Sequence, residues 1–171
     1  MNDVFFTADL HLGHHRIMEY CARPFKSHQE MTEVIIARTN EVCGSGDRLY
    51  VLGDVAFSTF DPQYEYLDRL KCKQVHLIIG NHDQTHPRCL RAHWASMHEL
   101  QVVRLKPKIT LCHYSMQTWP GQHGGSLHAF GHSHGRLIGL GRSMDVGVDT
   151  NQFRPYEFSE LKQILGEREI L

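Results

Sequence analysis

Five short apolar runs in this chain end alike. "DVFFTA" runs into Asp9-Leu10-His11, "RLYVL" into Gly53-Asp54, "QVHLII" into Gly80-Asn81-His82-Asp83, "KITLC" into His113, and "LHAF" into Gly131-His132-Ser133-His134. Each run is rich in large apolar or β-branched residues and too short for a helix, which predicts buried strands. An Asp, Asn or His follows the apolar residues every time. Ligands of α/β sheets gather beyond the carboxyl ends of the strands. The repetition therefore predicts one site assembled from five loops.

The segments between these runs carry helix signals. "SHQEMTEVIIARTNEVC" opens with Ser27, and Glu30 lies three residues on, the spacing of a capping box. Met31, Val34, Ile35, Arg38 and Val42 fall near helical spacing and predict an amphipathic helix. "DPQYEYLDRLK" places Asp61 as a cap and Pro62 at the first helical position. "MHELQVVRL" and "KITLCH" read as a hairpin around Lys106-Pro107, "SMDVGVD" as a further strand, and "YEFSELKQILGERE" as a C-terminal helix. Strand–helix alternation early and consecutive strands late predict a layered α/β domain with a mixed sheet. A length of 171 residues suits one such domain over 1–171.

Composition narrows the function classes. A net charge of -1 gives no basic field of the kind that drives non-specific nucleic-acid binding. The five cysteines include no C-x-x-C pair, which disfavours a zinc ribbon or a disulfide framework and suits reduced thiols in a cytoplasmic protein. "MNDVFFTADLHLG" has neither the pattern of a signal peptide nor that of a membrane span. Histidine is over-represented, at 14 residues against 8 phenylalanines, and it is the commonest metal ligand.

Taken singly, the loop motifs are ordinary. An Asx turn plus a surface histidine explains D-x-H, and Gly-Asp is common turn chemistry. A turn gains nothing from the His-Asp of Gly-Asn-His-Asp, however, and five such endings in register go beyond turn chemistry. The candidate ligands are Asp9, His11, Asp54, Asn81, His113, His132 and His134. That is too many for one tetrahedral zinc. It suits two ions bridged by a carboxylate, and the mixed N/O donors favour Mn²⁺, with Fe²⁺, Zn²⁺, Ni²⁺ or Co²⁺ as alternatives, over Ca²⁺ or Mg²⁺. Two such ions roughly 3.5–4 Å apart clamp the attacking and leaving oxygens of an in-line phosphoryl displacement.

D-x-H, G-D, G-N-H-D, H and G-H-x-H, in this order over positions 9 to 134, resemble the calcineurin-like metallophosphoesterases. "FTADLHLGHHRIMEYCARPF" and "GGSLHAFGHSHG" are similar to their small single-domain bacterial and phage members. The resemblance implies a four-layered α/β/β/α sandwich of two mixed sheets, with the metals at the sheet ends. It implies that Asp9, His11 and His134 hold one ion, that Asn81, His113 and His132 hold the other, and that Asp54 bridges them beside a shared hydroxide. His82 would face the substrate phosphate, with Asp83 fixing its tautomer. His132 and His134, in an extended run, would point to one face toward neighbouring ions, and Gly131 and Gly135 would let the backbone bend there.

The implied activity is hydrolysis of a small phosphate ester. A short chain without a cap module leaves an open site, which favours phosphodiesters of the nucleotide or cyclic-nucleotide type. A phosphomonoesterase, a nuclease and a non-catalytic scaffold are the alternatives; the presence of His82 argues against the scaffold, and the near-neutral charge against the nuclease. Among the other histidines, His123 in the loop "WPGQHGGS" is expected at the rim as a substrate contact, alongside Asn81. His14 and His15 are expected to cap a helix or face water, His28 and His76 to be solvated, and Arg16 and Arg23 to be structural surface arginines.

Overall fold

In the computed structural model, which describes residues 2–57 and 60–171, side chains of the first strand alternate between two cores. Strand β1 (Val4–Thr7) turns Val4 and Phe6 to one side and Phe5 to the other, as the two-residue period of a strand requires. Strands β2 (Arg48–Val51) and β3 (Gln74–Ile78) repeat this: Leu49, Val51, Val75 and Leu77 join Phe5, while Tyr50 and Ile78 join Phe6. The chain crosses from β1 to β2 through α1 (Ile17–Tyr20) and α2 (His28–Val42), and from β2 to β3 through α3 (Pro62–Glu65) and a 3₁₀ turn (Leu67–Arg69). Helical crossovers of this kind make the pairs parallel.

After α4 (Asn81–Gln84) and α5 (Pro87–Arg91), β4 (Ser96–His98) adds to β3. β5 (Leu100–Val103), β6 (Ile109–Cys112), β7 (Leu127–Phe130) and β8 (Ser143–Asp145) then form a second sheet, and β9 (Tyr156–Glu157) returns antiparallel to β1 ahead of α6 (Phe158–Gly166). The sheet orders are β4-β3-β2-β1-β9 and β5-β6-β7-β8, and both mix parallel and antiparallel pairs. One core lies between the sheets, joined by Leu161 and Leu165 of α6. The other lies between the first sheet and α2. Over the outer face of the second sheet, Trp119 packs on His128 at 5.4 Å.

The run "MHELQVVRL" is divided, not continuous. Ser96–His98 belongs to the first sheet and Leu100–Val103 to the second, so the chain changes sheets at Glu99. The expected hairpin is formed by β5 and β6 alone, around a cis Lys106–Pro107 bond. Helix α2 buries Met31, Thr32, Ile35, Ile36 and Thr39 in place of a face through Val34 and Arg38. Threonine can be buried here because the Thr32 and Thr39 hydroxyls donate to the carbonyls of His28 and Ile35, each at 2.8 Å. Ser27 caps the helix as expected, its Oγ accepting from the Glu30 N–H. Among the described residues no helix is long and apolar enough to cross a membrane.

Candidate metal centre

Each of β1, β2, β3, β6 and β7 ends at the same edge of the two-sheet core, and the loops that follow are stitched together by main chain. The Asp9 N–H donates to Gly53 O at 3.0 Å, His11 N–H to Asp54 O at 2.9 Å, and Gly131 N–H to His113 O at 2.9 Å. Asp9, His11, Asp54, His132 and His134 all have positive φ, between 50° and 65°. The left-handed region is sparsely used by residues with a Cβ, and clusters of such residues mark sites where tertiary contacts over-determine the backbone. His132 and His134 are therefore not in an extended run; each sits on a left-handed turn that sets its ring beside another candidate ligand, His113 at 5.2 Å and His11 at 5.1 Å respectively. Gly135 shares that conformation at φ +77°, whereas Gly131 is needed for closeness: a Cβ there would lie 2.6 Å from the Ala8 Cβ and 2.9 Å from Asp9 Oδ2.

The turns bring the candidate ligands into two groups. Ligand atoms of Asp9, His11 and His134 lie within 4.8 Å of one another, and so do those of Asp54, His113 and His132. Either group could hold a metal ion. The Asn81 amide oxygen lies 3.0 Å from His113 Nε2. Asp54 of the second group also approaches the first, with its Oδ2 at 3.7 Å from His11 Nε2 and 3.5 Å from His113 Nε2. Its Oδ1 is occupied by the His82 N–H at 2.9 Å. His82 lies over both groups with its side chain 40% exposed and its Nε2 at 4.0 Å from Asp54 Oδ2.

Burial sets the electrostatics. It pushes the fully buried Asp9 carboxyl up to about 7, against the pull of His113 and His134. It also drives His11 down to about 3, against the attraction of Asp54. For Asp54 burial works upward, but hydrogen bonding and charge from His113, helped by the His82 N–H, hold it at about 2. His113 follows the same pairing: burial lowers it, and Asp54 raises it to about 9. Both ring nitrogens of His11 are buried and, among the described residues, neither has a hydrogen-bond partner. Buried polar atoms are rarely left so, because each costs about 1–3 kcal/mol. A divalent cation would partner one of the two nitrogens, since it accepts the lone pair of a neutral imidazole and neutralises a buried carboxylate. The donors present fit a pair of such ions, and their N/O mixture fits first-row transition metals.

A layer of supporting groups orients these donors. The Arg23 guanidinium grips the Asp149 carboxylate through Nε at 2.7 Å and Nη2 at 2.8 Å, and Asp149 Oδ2 lies 2.8 Å from His134 Nδ1. Arg23 also donates to the carbonyls of Asp9 and Leu10 at 2.7 and 2.9 Å. One buried arginine thus ties the first ligand loop to the last, and the contact of His134 Nδ1 with Asp149 leaves Nε2 as its remaining donor. On the other side, His113 Nδ1 lies 2.7 Å from Leu52 O. Asp145 accepts from the Gly135 N–H at 2.9 Å and from the Ser133 hydroxyl, bracing the loop that carries His132 and His134.

Several expectations are corrected. Asp83 does not fix the His82 tautomer. Its carboxylate is fully buried and accepts from the N–H groups of Asp54, Val55 and Gly80 at 2.8–2.9 Å, so it locks the β2 loop to the β3 loop. Arg23 is not on the surface, being 4% exposed. His76 is half-buried, stacked on Tyr50 at 4.7 Å with Nδ1 2.8 Å from Ser96 Oγ. His14 faces the centre, its ring 5.6 Å from that of His11 and 4.2 Å from Phe57. His123 lies at the wrong end of its sheet: it precedes β7, whereas His132 follows it, and its Nδ1 lies 2.8 Å from the Leu171 carbonyl. A strand of four residues separates the two ends by roughly 13 Å. Asp145, Asp149 and Phe57 were missed. "SMDVGVD" is one more strand delivering an acidic residue past its end, so Asp149 obeys the rule that found the ligands.

No protein-family model matches the chain. Over 96 residues it is 33% identical to the Gene 66 protein of Mycobacterium phage L5, a stretch covering 54% of this chain and 45% of that protein. Over 86 residues, 49% of this chain and 48% of the relative, it is 35% identical to an uncharacterized protein of Methanocaldococcus jannaschii. The matched stretches thus span about half the length of these curated relatives. The crystal structure of a protein of unknown function from Aquifex aeolicus superimposes over 96% of this chain and 100% of that one, with a TM-score of 0.77 at 22% identity. The two share the α/β fold with its pair of mixed sheets.

Proposed function

We propose that the chain is a metal-dependent phosphoesterase of the calcineurin-like kind, holding two divalent transition-metal ions, Mn²⁺ foremost. The observation that carries this reading is Asp54 Oδ2, which belongs to one of two His/Asp groups each spaced for a metal and also comes within 3.7 Å of His11 in the other. Asp9, His11 and His134 would hold one ion, Asn81, His113 and His132 the other, and Asp54 would serve both. Such a pair supplies Lewis acidity toward phosphoryl oxygens and an activated nucleophile at neutral pH. The protein's own part is to aim the donors and handle the proton. His82, exposed above both groups, positions the substrate phosphate and delivers a proton to the leaving oxygen. Asp83 and the Arg23–Asp149 pair keep the loops from moving apart.

The substrate is a small phosphate ester, and a diester in preference to a monoester. Support comes from the ground around His82. One cleft of about 580 Å³ opens on its His14 side and another of about 410 Å³ on its Thr85 side, so an ester group has room in either direction. Chelator should abolish hydrolysis of bis(p-nitrophenyl) phosphate, Mn²⁺ should restore it, and kcat/KM should exceed that for p-nitrophenyl phosphate. Chelator-insensitive turnover overturns the metal reading; a clear monoester preference overturns the diester one.

A further inference from the structure

The larger of the two clefts has an unusual lining. It starts at His11, His82 and His134 and runs outward between His14, Tyr20, Phe57 and Arg136, over the side chain of Ile17. Its volume of about 580 Å³ falls within the range of small-molecule sites. Four of its outer side chains present flat π-faces: an imidazole, a phenol, a phenyl ring and a guanidinium. His14 packs on Phe57 at 4.2 Å and meets Tyr20 edge-on at 6.2 Å, while Phe57 meets His82 edge-on at 5.5 Å.

These groups are fixed by main chain. The Phe57 N–H donates to Leu12 O at 2.8 Å, and His14 N–H to His11 O at 3.0 Å, which holds Phe57 against the loop carrying the first ligands. Tyr20 ends α1, over the buried Ile17, and its carbonyl accepts from Arg136 Nη2 at 3.3 Å. The Tyr20 side chain is nonetheless left largely in water, with the residue 56% exposed. A single exposed aromatic is ordinary. An exposed aromatic continuous with three other planar groups and with a candidate metal centre marks a ligand surface.

We infer that this cleft receives a planar aromatic group attached to the phosphate, in biology the base of a nucleotide, with Phe57 and Tyr20 as its specificity-determining walls. The position of the phosphate rests on the phosphoesterase reading. The chemistry of the walls selects the ligand. Ring faces and a guanidinium stack on a heterocycle with little regard to its identity, and the same guanidinium can reach ring nitrogens or carbonyls at the mouth. The aliphatic part of the lining is small, with Ile17 beside Cys21, so the planar groups dominate the walls.

Calorimetric titration in Mn²⁺ buffer with adenosine monophosphate and with ribose phosphate of the same linkage isolates the ring, because the two ligands share sugar and phosphate. Adenosine monophosphate should bind about tenfold more tightly. Phe57→Leu, which keeps the bulk but removes the ring, and Tyr20→Ala, at an exposed position, should each shrink that gap and leave ribose phosphate unchanged. Equal affinity of the two ligands for the wild type, or a full gap in both variants, overturns the inference. The phosphoesterase reading fails separately: ring-dependent binding without any ester hydrolysis would retain the cleft and reject the reading, and hydrolysis without ring-dependent binding would do the reverse.

Discussion

Asp9, His11 and His134 form the buried side of the centre, and the His134 ring leans on a carboxylate that is itself gripped by a guanidinium. Asp54, His113 and His132 form the open side, where His113 is steered by the Leu52 carbonyl and His132 is exposed, with Tyr114 edge-on at 4.9 Å. The donors are alike; the means of holding them still are not. A main-chain carbonyl is placed by the fold and does not depend on the side chain of its own residue. The ion pair between Arg23 and Asp149 joins residues 126 apart and depends on both side chains. The orientation of His134 can therefore be removed by substituting one supporting side chain, whereas His113 leans on main chain.

The largest expected effect lies above both halves. His82→Ala should keep both ions, yet lower kcat by about 10²–10⁴-fold, the range for one positioned proton donor. The loss should be greater for an alkoxide leaving group than for p-nitrophenolate. Equal losses would leave His82 an electrostatic role only, and loss of an ion would make it a ligand. Next is Asp83, which serves the halves jointly. Asp83→Ala strips three buried N–H groups of their acceptor, each worth about 1–3 kcal/mol. Chemical denaturation of the metal-free protein should show a loss of several kcal/mol, and a loss below about 1 kcal/mol would deny the brace.

Asp149→Asn tests the comparison itself. It keeps the volume of the side chain but removes its charge, and should weaken one of two Mn²⁺ binding events by about 10–100-fold, as loss of a group supporting a metal ligand does. The other event should stay within about twofold. Equal weakening of both events would erase the distinction between the halves. The smallest effect is expected at His123: His123→Ala, far from the centre, should leave kcat/KM and both affinities unchanged, and a measurable loss would restore the residue to the rim.

The sequence made the ligand loops legible because their signal is local. An apolar run with its polar terminus lies within a few residues, and chain direction places all such termini at one sheet edge. The same reasoning could have excluded His123, which precedes its strand, and could have admitted Asp149, which follows one. Other features depend on contacts that no short stretch contains. That Asp83 spends its oxygens on main chain, that Arg23 is buried, and that Phe57 meets His14 are outcomes of packing between distant segments. The sheet change at Glu99 is not legible, because an apolar run does not record which sheet it joins. The buried face of α2 was displaced because threonines that bond back to their own helix pass as core residues.

Metal stoichiometry tests the central claim most directly. Wild-type protein saturated with Mn²⁺ and freed of excess should carry two ions per chain by elemental analysis. Asp54→Ala, lacking a carboxylate that is within reach of both groups, should carry fewer ions than Asp9→Ala treated alike. Saturation of the wild type at one ion per chain, or an Asp54→Ala protein that still binds two, would contradict the account.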